Sequence, residues 1–480
     1  MSVFDITSAS VSLPERFSTY RQRIKTFTNI SGMGLRLGTR FMMEAPRKYP
    51  WLKTLLTADT LFDMSTRARR GPYRQASAWA LSEVIASITD MLEGVFGNPE
   101  KTVMHEDLVP PEILTAMGLN PWMAELLGIM GPLIRSDFAE EYIDAAENEG
   151  TPPDVCSLPK ATMGLVLKGQ MPHPKAILTS NMPCDGGMSS YTLMEKRLNV
   201  PCFRLDVPYN FYDDRSAEYF AKELFRAVDW LEEHTPGRMD WDRLREVCTL
   251  RNRATEFQME VWDLLREKPA PMAGEPLYLG HMIFQVAMPG REKSVRYFET
   301  LLAHAKKIRA AGGALPDERY RIALWNPPTL IYPELFAWAE QRYNAVMLMD
   351  MISYNRHPYI DTKSPETMMR DLARIIMAGP MARHTRGPQE NFFSDLFELC
   401  ERFSMDMIWM AGHIGCKNTM ALSGMFREKC RERGVPLLII NYDLSDTRVV
   451  SPAEVRKQAE AFMETVMKAG APVDSEAKAS

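Results

Sequence analysis

The chain lacks most of the features that would assign it at once. It has no CxxC pair, so neither a zinc ribbon nor a ferredoxin-type cluster is indicated. It has no Walker A pattern and is not read as an ATPase. Gly32-Met33-Gly34 with Gly38 has the wrong spacing for a dinucleotide fingerprint, and no apolar strand precedes it. No apolar run approaches the roughly 18–20 residues of a membrane span. Residues 1–15 lack the basic segment and apolar stretch of a secretory signal. Charge of one sign is missing too: a formal net charge of -5 gives no sign of a polyphosphate, nucleic-acid or membrane-surface binder. The expectation is a soluble, cytoplasmic protein with neither a nucleic-acid nor a membrane partner.

Cysteine is scarce as well. Seven cysteines in 480 residues are an odd, thin set. In a reducing compartment they form no disulfide framework. Most such thiols are buried small hydrophobes, and a minority are metal ligands or nucleophiles. The useful question is which of them sit where a core residue would not. Methionine, by contrast, is plentiful at 34 residues. Met347, Met349 and Met351 fall inside an apolar segment and read as core filler.

A hydrophobic content of 45% supports a large core and two or three domains. Residues 1–98 read as a helical region, with a long helical pattern over 77–96 that Gly97-Asn98-Pro99 stops. It is expected to pack on the main body or on a partner subunit. An α/β rhythm follows over 99–215. There is a short strand at 102–107 and a helix begun by Pro110-Pro111 and closed by Gly118. Strands at 176–181 and 200–207 follow, with a helix at 188–198 between them. A strand–helix–strand unit favours a parallel sheet. Residues 216–315 read as a helical connector interrupted by Pro269-Ala270-Pro271. The α/β rhythm restarts over 316–470, with strands at 320–325, 345–352, 405–411 and 435–441. Helices at 333–341, 366–377, 389–403, 417–433 and 452–467 alternate with them. Residues 471–480 read as a polar tail. The fold class is α/β, with two tandem parallel-sheet domains whose ligands belong beyond the carboxyl ends of the strands.

Three cysteines fall at that edge. Cys184 lies in a Pro- and Gly-rich turn after the 176–181 strand. Cys416 lies in Gly412-His413-Ile414-Gly415-Cys416, after the 405–411 strand and where a helix begins. Cys156 lies in a Pro-flanked turn before a helical stretch. A helix N-terminus offers backbone N–H groups and a favourable dipole to a thiolate or an anionic cluster. Cys202 sits in a strand, and Cys248, Cys400 and Cys430 sit in helical patterns, so these four read as filler. Spacing alone leaves the three turn cysteines open between a metal site and structural thiols.

An ordered set of short motifs adds to this. It runs Pro110-Pro111-Glu112-Ile113-Leu114 with Gly118, then Asp154-Val155-Cys156 with Lys160 and Gly164. Pro183-Cys184-Asp185 and Leu205-Asp206-Val207-Pro208-Tyr209 follow, then Gly415-Cys416, and Asp443, Asp446 and Arg448. In this order the chain resembles the catalytic subunits of the 2-hydroxyacyl-CoA dehydratase and benzoyl-CoA reductase family. The resemblance implies two Rossmann-like domains and one [4Fe-4S] cluster held by Cys156, Cys184 and Cys416, with one iron free of protein thiolate. It implies a homologous sister subunit, an acyl-CoA substrate and an ATP-hydrolysing iron–sulfur activator that delivers one electron. A dehydratase would then expel the 2-hydroxyl group through a ketyl radical anion, whereas a reductase would leave electrons in an aromatic ring. About 95 residues precede the first motif, unlike the compact members.

Other groups stay open between two readings. Glu112 is either a helix-start carboxylate favoured by the dipole or a catalytic acid or base facing the cleft. His105-Glu106 is either a solvated pair or a proton-transfer pair. His413, three residues before Cys416, is a candidate hydrogen-bond partner of the cluster. Basic residues around Arg21, Arg23, Lys25, Arg36 and Arg40 read as a solvated face. Three function classes follow: a dehydratase or reductase subunit, a non-catalytic electron-relay or scaffold subunit, and a zinc protein using the same three thiols.

Overall fold

The structure is a computed structural model that describes residues 4–182, 184–209, 213–326, 332–357, 359–385 and 388–469. Pro183 of the Cys184 motif and the 471–480 tail lie outside the described residues. Within them stand two four-stranded, wholly parallel sheets. The first holds β1 (Thr102–His105), β2 (Asn120–Met123), β3 (Ala176–Ser180) and β4 (Cys202–Leu205) in the order β2-β1-β3-β4. The second holds β5 (Tyr320–Trp325), β6 (Ala345–Met349), β7 (Met407–His413) and β8 (Leu437–Tyr442) in the order β6-β5-β7-β8. The expected α/β class with tandem Rossmann-like sheets is therefore the fold. The reason lies in the strands. β3, β6 and β7 are buried along their whole length. Unbroken apolar runs of this kind suit parallel strands covered by helices on both faces.

One strand escaped the sequence reading. β2 is four residues long and contains Pro121, which pairs with Val103 at the sheet's edge. Proline cannot donate to a ladder, so such a segment is tolerated only at an edge and does not read as a strand. The helix expected over 417–433 is two helices, Lys417–Ala421 and Ser423–Arg433, which meet at Leu422. Leu422 N bonds back three residues to Thr419 O at 3.2 Å, a tight turn that ends the first helix.

Strand order fixes where a ligand goes. In each sheet the chain steps from the first strand to one side, then returns for the third strand on the other side. The crevice between β1 and β3, and that between β5 and β7, is the switch point at which open α/β sheets bind ligands. Cys184 follows β3 and Cys416 follows β7, the equivalent place in each half.

The N-terminal region packs on this body. The helix Gly71–Gly97 is buried along most of its length. Trp51 Nε1 donates to Gln170 O at 2.9 Å. Arg69 forms ion pairs with Glu340 at 2.9 Å and Glu275 at 2.8 Å. Two further helices, α1 (Leu13–Leu37) and α2 (Thr39–Lys48), lie outside that helix. Among the described residues, no helix is long and apolar enough to cross a membrane.

Candidate functional site

The three turn cysteines are all helix N-caps. Cys156 caps Ser157–Leu167, Cys184 caps Asp185–Leu198 and Cys416 caps Lys417–Ala421. Burial pushes the Cys156 thiol up, and charge on Cys416 and then Cys184 pushes it further. Burial also raises Cys184, opposed by the N–H of Gly187, while charge on Glu125 and Cys416 raises it further. The Cys156 loop and the Cys184 turn are neighbours: a Cβ on Gly186 would stand 3.3 Å from Val155 Cγ1 and 3.1 Å from Pro159 Cγ. Loading a metal group there must displace thiol protons, so retention weakens as pH falls.

Each sulfur has a hydrogen-bond partner. Gly187 N donates to Cys184 Sγ at 3.4 Å, and Thr419 Oγ1 donates to Cys416 Sγ at 3.1 Å. His413 Nε2 lies 3.0 Å from Cys156 Sγ. Its tautomer follows from the other side of the ring. Leu444 N donates to Nδ1 at 3.0 Å, so Nδ1 accepts and the ring proton of neutral His413 is on Nε2, facing the sulfur. The sequence reading named His413 but missed Thr419, which sits one helical turn after Cys416. It also missed Asn326, whose Nδ2 donates to Thr419 Oγ1 at 2.6 Å and to Ala411 O at 2.9 Å. Asn326 has a left-handed φ of 77° directly after β5, a conformation that asparagine tolerates better than most residues.

The two halves meet closely at this point. A Cβ on Gly415 would stand 2.9 Å from Cys156 Cα and 3.2 Å from His413 Nε2. Alanine there must therefore displace backbone. Gly415→Ala is expected to separate the 413–416 turn from the Cys156 loop and to cost about 1–3 kcal/mol of stability, the range for overpacking. Urea unfolding, with unchanged far-UV circular dichroism of the folded chain, checks this. The C-terminal motif holds the same junction. Asp443 Oδ1 accepts from Ser445 N and Asp446 N at 3.0 and 2.9 Å, and Ser445 Oγ donates to Gly128 O at 3.0 Å. Arg448 pairs with Asp446 at 2.8 Å and with Asp144 of the first half at 3.0 Å. Lys160 ties the Cys156 loop to Glu147 at 2.6 Å and Pro153 O at 2.9 Å.

A cleft of about 70 Å³ lies between the first half, the connecting helices and the second half, and the three turn cysteines are not among its lining residues. Asp107 and Glu112 line it from the first half, Arg251, His281 and Gln285 from the connecting helices, and Asn355 and Arg356 from the second half. Met282–Ala287 forms a π-helical turn in its wall, a local widening that no sequence period announces. Asp107 Oδ1, Glu112 Oε2 and Gln285 Oε1 are shielded from solvent and, among the described residues, have no hydrogen-bond partner. Burial lifts Asp107 to about 7. Burial, then the charge of Asp107, lifts Glu125 to about 8. Asp107 thus lines the cleft and acts on Glu125, whose charge in turn raises the Cys184 thiol.

Two sequence readings change here. His105 and Glu106 are not a solvated pair: they are 0% and 1% exposed, at the end of β1. Burial holds His105 neutral, its pKa down to about 4, and lifts Glu106 well above the usual carboxylate range. Glu112 opens its helix as expected, but its Oε1 is paired with Arg251. It stands in the cleft, and its charge raises the Cys248 thiol.

The remaining cysteines lie in regular elements away from the three turns. Cys248, Cys400 and Cys430 are buried in helices, and Cys202 lies in β4 with its thiol raised to about 12 by burial. Among the described residues, no three His, Cys, Asp or Glu side chains close around a single ion position. Three N-cap thiols, each accepting a hydrogen bond, suit an anionic iron–sulfur cluster.

Fold and site together define a class: a doubled parallel α/β protein with a helix-capping cysteine after the third strand of each sheet. Comparison with known proteins narrows it. The chain belongs to the family described as 2-hydroxyglutaryl-CoA dehydratase, D-component, which matches residues 108–466. It is 33% identical over 134 residues to the alpha subunit of (R)-2-hydroxyglutaryl-CoA dehydratase from Acidaminococcus fermentans, covering 27% of this chain and 28% of that one. It is 24% identical to a benzoyl-CoA reductase subunit from Thauera aromatica, over 84% of this chain and 97% of that one. The alpha subunit of lactoyl-CoA dehydratase from Anaerotignum propionicum is 23% identical over 74% of this chain and 88% of its own.

Proposed function

We propose that the chain is the iron–sulfur subunit of a 2-hydroxyacyl-CoA dehydratase, a hydro-lyase that removes water from a 2-hydroxyacyl-CoA. One observation carries the reading: Cys184 and Cys416 occupy equivalent places after β3 and β7, and Cys156 bonds to His413 across the two halves. In this reading Cys156, Cys184 and Cys416 hold one [4Fe-4S] cluster. When bound, that group supplies one low-potential electron, received from an ATP-hydrolysing activator, and a Lewis-acidic iron for a substrate oxygen. The electron is returned at the end, so the net reaction is loss of water. A homologous sister subunit completes the enzyme.

The chain's own residues bind, orient and move protons. The cleft takes the thioester end of the substrate. Gln285 Oε1 and Glu112 Oε2 are free to accept hydrogen bonds from hydroxyl or amide groups, and Arg251 holds Glu112 in place. Asp107, with its pKa near 7, is the proton donor to the departing hydroxyl. The sign follows. Burial raises this carboxyl, so the protonated donor is present below about pH 7 and lost above it. Asp107→Asn is expected to lower kcat about 10²–10⁴-fold, the range of general acid catalysis. It should also abolish the alkaline fall of kcat, with iron content unchanged. A variant that keeps the wild-type pH profile removes Asp107 from this role.

An aromatic acyl-CoA reductase subunit is the second reading. The alignment with the benzoyl-CoA reductase subunit, over 84% of this chain, favours it. One assay separates them. The chain is purified anaerobically with its co-purifying subunit and supplied with activator, ATP, and either 2-hydroxyacyl-CoA esters or benzoyl-CoA. Enoyl-CoA formation supports the dehydratase and ring reduction supports the reductase. About four irons per chain with neither product indicates an electron-relay subunit.

A further inference from the structure

The helix α1 is built inside out. Its buried side toward the helix Gly71–Gly97 includes Thr19 and Thr26 beside Ile30 and Met33. Its outer side carries Leu13, Phe17, Tyr20, Ile24 and Phe27, exposed by 80, 69, 59, 50 and 60%. These five residues are spaced 4, 3, 4 and 3 apart, a narrow seam of period 3.5 and not the broad stripe of a helix facing a core. The seam ends at Gly34, where the side chain of Met42 from α2 covers the position, 3.1 Å from a would-be Cβ. The segment lies outside residues 108–466, the part that carries the family match.

The flanks of the seam identify its occupant. With Phe17 and Ile24 at a and Tyr20 and Phe27 at d, Arg16 and Arg23 fall at g and Arg21 at e. Arg23 pairs with Asp63, but among the described residues no ion pair engages Arg16 or Arg21. Charges at e and g set partner choice in helix pairs. A second copy of this chain would set arginine against arginine: g meets e in a parallel pair, and g meets g in an antiparallel one. An anionic membrane would suit the charge, but a surface-lying helix presents a wide apolar face. We propose that the outer face of α1 docks a helix of a different polypeptide that bears apolar residues at a and d and acidic residues at e and g. The proposal does not depend on the reaction assigned above.

Fluorescence anisotropy tests it with the full chain and two labelled peptides of about 21 residues, each with Leu at a and d. One carries Glu and the other Lys at e and g. The Glu peptide is expected to bind at least about tenfold more tightly than the Lys peptide, and to weaken several-fold as salt rises. Phe17→Asp with Ile24→Asp should remove at least about tenfold of that affinity, since apolar anchors dominate such contacts. Both residues are exposed, so the fold should not register the change. Equal binding of the two peptides, or no binding, overturns the proposal. So does self-association of the chain, or flotation with phosphatidylserine–phosphatidylcholine vesicles, that the same double variant abolishes.

Discussion

Serine in place of Cys156, Cys184 or Cys416 is expected to strip the chain of iron, of its broad absorbance near about 400 nm, and of all turnover. Each substitution exchanges a soft thiolate for a hard hydroxyl at a helix N-cap. Serine is itself a good cap, so the helices after each position should persist. The effect is therefore on the metal group and not on folding, and unchanged far-UV circular dichroism checks that. Cys202→Ser is the matched control: Cys202 lies in β4, away from the rim, and its loss should leave iron content unchanged. Iron retained by any one of the three variants would remove that residue from the ligand set. Stoichiometric zinc without visible absorbance in the native chain would remove the cluster altogether.

Arg69→Met is expected to cost about 3–5 kcal/mol of stability, the usual consequence of breaking a buried ion pair from one side. Arg69 is 2% exposed and is paired with Glu340 and Glu275, and Tyr73 OH donates to Glu340 Oε1 at 2.7 Å. Burial works against the guanidinium charge, and Glu340, Tyr73 and Glu275 more than restore it. Methionine fills the space but strands two carboxylates. Urea unfolding at neutral pH measures the loss. The triple change Arg69→Met, Glu275→Gln, Glu340→Gln should recover much of it, because the stranded charges are gone. If the single and triple variants are equally unstable, packing and not charge holds this junction between the N-terminal region, the connecting helices and the second half.

The fold was largely legible because parallel strands covered on both faces leave long apolar signals: β3, β5 and β7 all read directly. β2 did not, since a four-residue edge strand with Pro121 in it carries neither alternation nor an apolar run. The cysteine positions were legible from their turns, because a strand followed by a Gly- and Pro-rich turn and then a helix is a local pattern. Their convergence was not, as it depends on how two sheets face each other. His105-Glu106 misled for a related reason. Charge in sequence suggests solvent, yet the end of β1 is buried by elements far along the chain. Asp107, Glu125 and Asn326 had no signal stronger than their place just after strands β1, β2 and β5. The partner of Glu112 lies 139 residues away, beyond any local pattern.

The bond between Cys156 and His413 spans 257 residues of sequence. At a synthesis rate of about 5–20 residues per second, that separation amounts to roughly 10–50 s. During that interval the emerging chain displays Cys156 and Cys184 on a half whose third thiol does not yet exist. A cluster delivered then would have two anchors and an open flank to oxygen or stray copper. On the proposed reading, maturation is thus tied to a clock set by the ribosome, and metal insertion belongs after β7 has been made and has folded against the first sheet.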